Sequence, residues 1–293
     1  MQKANTPEII KASTEGDTVK VQSLLEIGVS TETRDLYGRT ALMTASKHLK
    51  VLEILLNNGA NINAVDSSGK TPLIFSVFAS NIQATKFLLE RGADAHTRDK
   101  SGRLPLTYAW EASNYEMLEV FYDAEPKFDI ASAAVVGKLE GVKDILREGS
   151  NIDKRSEFGE TALTASIGRD HFAVAKYLIQ VGADVNLIGR YCSPLVSVIL
   201  KRNVQLVKDL IHHGADINGL TDYGSPLIAA VTSGDLEIIE LLLDNQADIN
   251  AVDAEGDTVL SLAIYEENYE IVEFLKRKIA TFDEQASKEG DIQ

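Results

Sequence analysis

Cysteine is almost absent from this chain. The one copy in 293 residues is Cys192, so no disulfide framework can staple the fold, and no Cys/His cluster has zinc-ligand spacing. A reducing, cytoplasmic setting is expected. Long apolar runs are missing too: no uncharged stretch approaches the roughly 20 residues needed to cross a bilayer. The first twenty residues carry Lys3, Glu8, Lys11, Glu15, Asp17 and Lys20, which leaves no apolar core for a signal peptide. Catalytic signatures are equally scarce. There is no HExxH, no Walker P-loop and no GxSxG. The five histidines are His48, His96, His171, His212 and His213. His212 and His213 are neighbours near a helix end and are expected to point in different directions. Cys192 has no Lys or His partner at a motif spacing and reads as a partly exposed thiol. No catalytic, cofactor or metal residue is therefore expected.

Basic residues are scarce at one end. Residues 1–208 balance 25 Lys+Arg against 25 Asp+Glu, whereas residues 209–293 hold 4 against 19, the whole of the net −15. That end would repel a phosphate backbone, so nucleic-acid binding is not expected there. Two readings stay open: a solvated acidic end that aids solubility, or a surface for a basic partner.

What the chain does have is repetition. One landmark is a Thr/Ser–Pro/Ala–Leu triplet, at Thr40-Ala41-Leu42, Thr71-Pro72-Leu73, Thr161-Ala162-Leu163, Ser193-Pro194-Leu195 and Ser225-Pro226-Leu227, with degenerate copies at Leu104-Pro105-Leu106 and Thr258-Val259-Leu260. The other is Gly-Ala-Asp/Asn-x-Asn, beginning at Gly59, Gly182 and Gly214, with looser copies at Gly28, Gly92, Gly149 and Gln246. Successive copies are 31 to 33 residues apart except for one step of 57, which is a shortened repeat plus a full one.

Local chemistry explains one unit. Thr71 can cap a first helix, and Pro72 sits where its missing N–H costs nothing. Leu73, Ser76 and Val77 then share a face. A second helix should bury Phe87, Leu88 and Leu89 and end at Gly92. Asp99 to Gly102 reads as a turn, with Asp bonding the local backbone and Gly accepting positive φ. Such a unit cannot bury its apolar faces alone and must lean on neighbours.

These landmarks resemble the ankyrin repeat family, most fully over Asp66–Arg98 and about nine times across residues 3–278. The family's His after the Leu is never present; Met43, Ile74, Thr107, Thr164, Val196, Ile228 and Ser261 stand there instead. The resemblance implies an all-α fold with short β-hairpin loops, an α-solenoid of stacked helix-turn-helix units, and a concave face of hairpin tips and first helices that binds another protein. It also implies that His171 bonds a neighbouring loop.

Two units lack the hairpin and the triplet, one at residues 5–33 and one at 128–153, and both look like N-terminal caps. Leu104 replaces a capping Thr, and Asp123-Ala124-Glu125-Pro126 stands where a Gly-Ala loop belongs; Pro126 forbids a continuing helix. The chain reads as repeats 1–4 over 1–126, repeats 5–9 over 127–278 and a polar tail over 279–293. A single continuous stack with one short loop is an equal reading.

The candidate partner-binding residues are those the fold leaves free. Tyr37, Phe158 and Tyr223 stand just before a turn glycine, with Tyr191 nearby in a shortened hairpin. Lys47, Phe78, Glu111, Val135, Leu200, Thr232 and Tyr265 occupy the groove-facing position of the first helices, and Phe78, Leu200 and Tyr265 are unexpectedly apolar for a surface. Trp110 falls one position earlier and is assigned to the core, although Phe78 and Trp110 could share a patch. The expected function is a non-enzymatic scaffold that binds another protein. A narrower form masks a basic partner with the acidic repeats, in the manner of an inhibitor. A third reading, an enzyme or small-ligand receptor at the repeat 4/5 junction, needs a tight polar pocket with a titratable residue of perturbed pKa, and the sequence offers no such cluster. No membrane partner is expected, and oligomeric state leaves no trace in the sequence.

Overall fold

A computed structural model describes residues 6–124, 129–190 and 192–290. Tyr191, Phe128 and the Glu125-Pro126 step expected to close repeat four lie outside the described residues. The chain divides into two compact units, residues 1–128 and 129–293.

The first unit holds four helix pairs: α1 Glu8–Glu15 with α2 Thr18–Glu26, α3 Ala41–Thr44 with α4 Leu49–Asn57, α5 Pro72–Phe78 with α6 Ile82–Glu90, and α7 Pro105–Glu111 with α8 Tyr115–Ala124. The second holds five: α9 Ile130–Val135 with α10 Leu139–Arg147, α11 Ala162–Gly168 with α12 Phe172–Gln180, α13 Pro194–Leu200 with α14 Val204–His212, α15 Pro226–Ser233 with α16 Leu236–Asp244, and α17 Val259–Tyr265 with α18 Tyr269–Gly290. Within each unit the extensive helix contacts run only inside a pair or between neighbouring pairs, as expected of units that complete one another's cores. The residues expected to form a polar tail are helical as far as Gly290.

Each landmark has a physical task. In five repeats the triplet hydroxyl caps the first helix: Thr71 Oγ1 accepts from the Ile74 N–H at 3.3 Å, and Thr161, Ser193, Ser225 and Thr258 do the same, whereas Thr40 Oγ1 makes no such bond. Leu104 cannot, but its own backbone N–H donates to Thr107 Oγ1 at 3.2 Å. The Leu of every triplet from repeat two to repeat eight is buried. Leu88 is fully buried as expected, whereas Phe87 and Leu89 are only half-buried.

The Asn or Asp that closes the second landmark is an inter-repeat staple. Asn63 Oδ1 accepts the backbone N–H of Asp94 at 2.9 Å; Asp153, Asn186 and Asn218 repeat this toward Asp184, Asp216 and Asp248. Each bond spans 30 or 31 residues, so one short side chain satisfies a backbone group of the next unit. The hairpins follow the Asp-x-x-Gly reading: Asp66 Oδ1 accepts from the N–H groups of Ser68 and Lys70, both at 2.8 Å, and Gly69 has φ 81°.

His171 bonds a neighbouring repeat, its Nε2 lying 3.1 Å from the Val135 carbonyl. His48, which had no assigned role, is its counterpart in the first unit, 3.0 Å from the Thr14 carbonyl. Each imidazole lies on a glycine that ends the preceding cap-like helix. A Cβ on Gly16 would stand 2.5 Å from His48 Nδ1, and one on Gly137 would stand 2.6 Å from His171 Nδ1.

Candidate protein-interaction surface

Most of the chosen first-helix and hairpin-tip positions are exposed. In the first unit Tyr37, Lys47, Phe78 and Glu111 are exposed, Phe78 by 51 %. In the second, Leu200, Tyr223, Thr232 and Tyr265 are exposed and Phe158 is half-buried; Tyr191 lies outside the described residues. Val135 is a correction: it is buried, because α9 packs its whole length into the core. So is the view of His212 and His213, whose exposed rings meet edge to face at 5.3 Å rather than pointing apart.

The tips are held by backbone. The Ser67 N–H donates to the Tyr37 carbonyl and the Lys100 N–H to the Ser68 carbonyl, both at 2.9 Å. Arg34 Nη1 donates to the carbonyls of Gly38, in its own hairpin, and Val65, in the next loop, at 2.8 and 2.6 Å. Arg155 repeats the device on Gly159 and Ile188. The Tyr37 ring therefore stands on a fixed base, with the Arg39 guanidinium 5.0 Å from its centroid in a cation–π contact.

Two candidates, Phe78 and Glu111, are drawn into one cluster on α5 and α7. Phe78 meets Tyr108 at 4.7 Å between centroids, at 67°, and Phe75 at 6.3 Å. The Arg103 guanidinium lies 5.5 Å from the Tyr108 ring and 3.1 Å from Glu111 Oε2. The Tyr108 hydroxyl donates to Asp99 Oδ2, and Asp99 is itself almost fully buried. Burial pushes the Tyr108 phenol up to about 12, with the Asp99 hydrogen bond and charge adding to it. Burial pushes Asp99 upward as well, yet hydrogen bonds from Tyr108 and from the Arg103 and Ser101 backbone outweigh it and hold its carboxyl below the usual value. The aromatic patch of the first unit thus rests on an anchored Tyr–Asp pair. Trp110, the other candidate for sharing it, is buried. Tyr108 was missed because its position reads as core, and only the neighbouring Phe78 and Arg103 show that its face reaches solvent.

Cys192 is half-buried, 3.0 Å from Ser197 Oγ; burial raises its pKa, against the Ser197 hydrogen bond. Among the described residues no group of three His, Cys, Asp or Glu could hold a metal ion, and no helix is long and apolar enough to cross a membrane.

Paired helices, most of them capped by Thr or Ser and stapled to the next pair, define a helix-turn-helix repeat protein. One family model, ankyrin repeats in three copies, matches residues 128–221 and 200–286, and another, ankyrin repeats in many copies, matches 43–89 and 77–121. The chain belongs to the ankyrin repeat family. It is 39% identical over 82 residues to a putative ankyrin repeat protein of Rickettsia bellii, covering 27% of this chain and 45% of that one. A Caenorhabditis elegans homologue of transient receptor potential cation channel subfamily A member 1 is 26% identical over 181 residues, 61% of this chain and 13% of the channel. The Arabidopsis thaliana potassium channel AKT2/3 is 29% identical over 186 residues, 60% of this chain and 19% of the channel. The chain thus spans less than half the length of each of these relatives. Repeats of this family serve as protein-binding modules.

Proposed function

We propose that this chain is a non-enzymatic scaffold that holds a partner protein against its hairpin tips and first helices, the concave face of the ankyrin architecture. One observation carries the reading: exposed Phe78, Arg103 and Glu111 gather around half-buried Tyr108, which is anchored to the buried Asp99. Aromatic and arginine side chains dominate binding hot spots, and a surface ordered before binding loses little conformational entropy. Two of the relatives are named as channels and one as an ankyrin repeat protein. What they share with this chain is a repeat segment, as fits a frame whose specificity lies in its variable surface. The single half-buried cysteine suits a cytoplasmic setting. Affinity capture from native lysate tests the reading. Phe78→Ala, Tyr223→Ala and Tyr265→Ala are the probes; at least one should lower capture of the specific partner about tenfold or more. Undiminished capture by all three would show the surface to be wrongly chosen.

The location of the charge favours a second reading, a basic partner masked by the acidic repeats, because residues 209–293 carry the whole net −15. Association that weakens steeply with salt and depends on those repeats supports it; salt-independent association contradicts it.

A further inference from the structure

The two ends of the repeat series are finished differently. At the start, α1 presents charge: Glu8 and Lys11 are exposed where repeat two has Ala41 and Thr44, buried and half-buried. At the end, repeat nine keeps the apolar residues of an interior repeat, but among the described residues they are more exposed. Six residues after each cap stand Ile167, Ile199 and Val231, no more than 1% exposed; the equivalent Ile264 is 55% exposed. Two residues after the cap, Leu163, Leu195 and Leu227 are buried, while Leu260 is only half-buried. Eleven residues after it, Phe172, Val204 and Leu236 are half-buried, while Tyr269 is 75% exposed. Leu260 and Ile264, four apart on α17, lie on one helix face. Leu260, Ile264 and Tyr269 therefore mark an exposed apolar face at the positions through which interior repeats stack.

Charge decides what fits it. Glu255, Asp257, Glu266, Glu267 and Glu270 are exposed around this repeat. A second copy presenting the same end would bring like charges together, and one presenting α1 would offer Glu8 and Lys11 in place of an apolar layer. We infer that the open face of the last repeat takes an amphipathic helix of a partner protein, with aliphatic residues against Leu260, Ile264 and Tyr269 and Lys or Arg residues toward the flanking carboxylates. The bound helix would stand where a further repeat's first helix would stand, burying the apolar face while its basic flanks meet the acids. The inference rests on the reading of the chain as a protein-binding array, and in particular on its basic-partner form.

The test uses the whole chain and a fluorescent synthetic helix of 18 residues, leucine on one face and lysine on the other. Anisotropy should show saturable binding to the wild-type chain. Ile264→Ser, at an exposed position, should weaken binding about tenfold or more, the loss expected when a buried aliphatic group is removed. Replacing the probe lysines by glutamine should also weaken it and flatten its salt dependence. Val19→Ser, at an exposed position on α2 outside both surfaces, should leave binding of this probe unchanged. Circular dichroism and the thermal midpoint of Ile264→Ser check that the variant folds, and hydrogen exchange of the wild-type chain with probe should show protection at residues 259–269. The inference is overturned if the wild-type chain does not bind the probe, if Ile264→Ser binds as tightly as wild type, or if the chain sediments as a dimer that Ile264→Ser dissociates, which would make a second copy the occupant. Failure of the Phe78 capture experiment would overturn the first-helix surface alone and leave these outcomes standing.

Discussion

Tyr108 and Asp99 show how one hydrogen bond can order a surface. The phenol is held protonated by burial and by the carboxylate beside it, and the carboxylate is held ionised by three donors. The signs give opposite pH windows. Tyr108 has a folded pKa above its ordinary 10.0, so its contribution to stability is full below pH 10 and is lost as pH rises toward about 12. Asp99 has a folded pKa below its ordinary 3.8, so its contribution is full above that value and is lost as pH falls through the lower folded one. Tyrosinate absorbance compared between wild type and Tyr108→Phe should reveal one phenol titrating near pH 12. A difference spectrum centred near pH 10 would contradict the hydrogen bond. Backbone strain is a second matter at this scale. Ser80 has φ 50°, a left-handed conformation that costs a residue with a Cβ about 1 kcal/mol or more. Ser80→Gly should therefore stabilise the chain by about 0.5–1 kcal/mol in urea denaturation.

Helix pairs meet their neighbours at a few tight places, and the glycines beneath His48 and His171 are the tightest. Gly137 has φ 73°, and any Cβ there runs into the His171 ring. Gly137→Ala should cost about 1–3 kcal/mol. Adding His171→Ala should recover the steric part and leave the backbone part, so the double variant should be more stable than the single effects summed. Simple additivity in denaturation would mean the two residues do not touch. Much at this scale was legible in the sequence. Thr71, Pro72 and Gly92 announce helix ends by local chemistry that a single strand of residues displays. The partner of each bond did not show in the same way. His171 could be assigned by its place in the repeat, but His48 could not, because it stands eight residues after Thr40 where His171 stands ten after Thr161. The burial of Val135 depends on how closely α9 is covered, which no local pattern encodes. Phe78 and Glu111 could be chosen as free positions, yet only the fold shows that they share a cluster with Tyr108 and Arg103.

The molecule as a whole is a series of small cores, each completed by the next pair of helices within its unit. Its charge is unevenly placed along that series, and so is its finish, with charged residues on α1 and open apolar residues on α17. A chain built this way should lose stability locally. Leu178 is fully buried on α12, and Leu178→Ala should cost about 2–5 kcal/mol. The account stands or falls on where that loss appears. Amide hydrogen exchange on the wild type and Leu178→Ala measures it directly. Protection should fall in α11 and α12 and in the adjoining pairs α9–α10 and α13–α14, while α1 to α6 exchange as before. An equal loss of protection from α1 to α17 would show one shared core and would contradict the account.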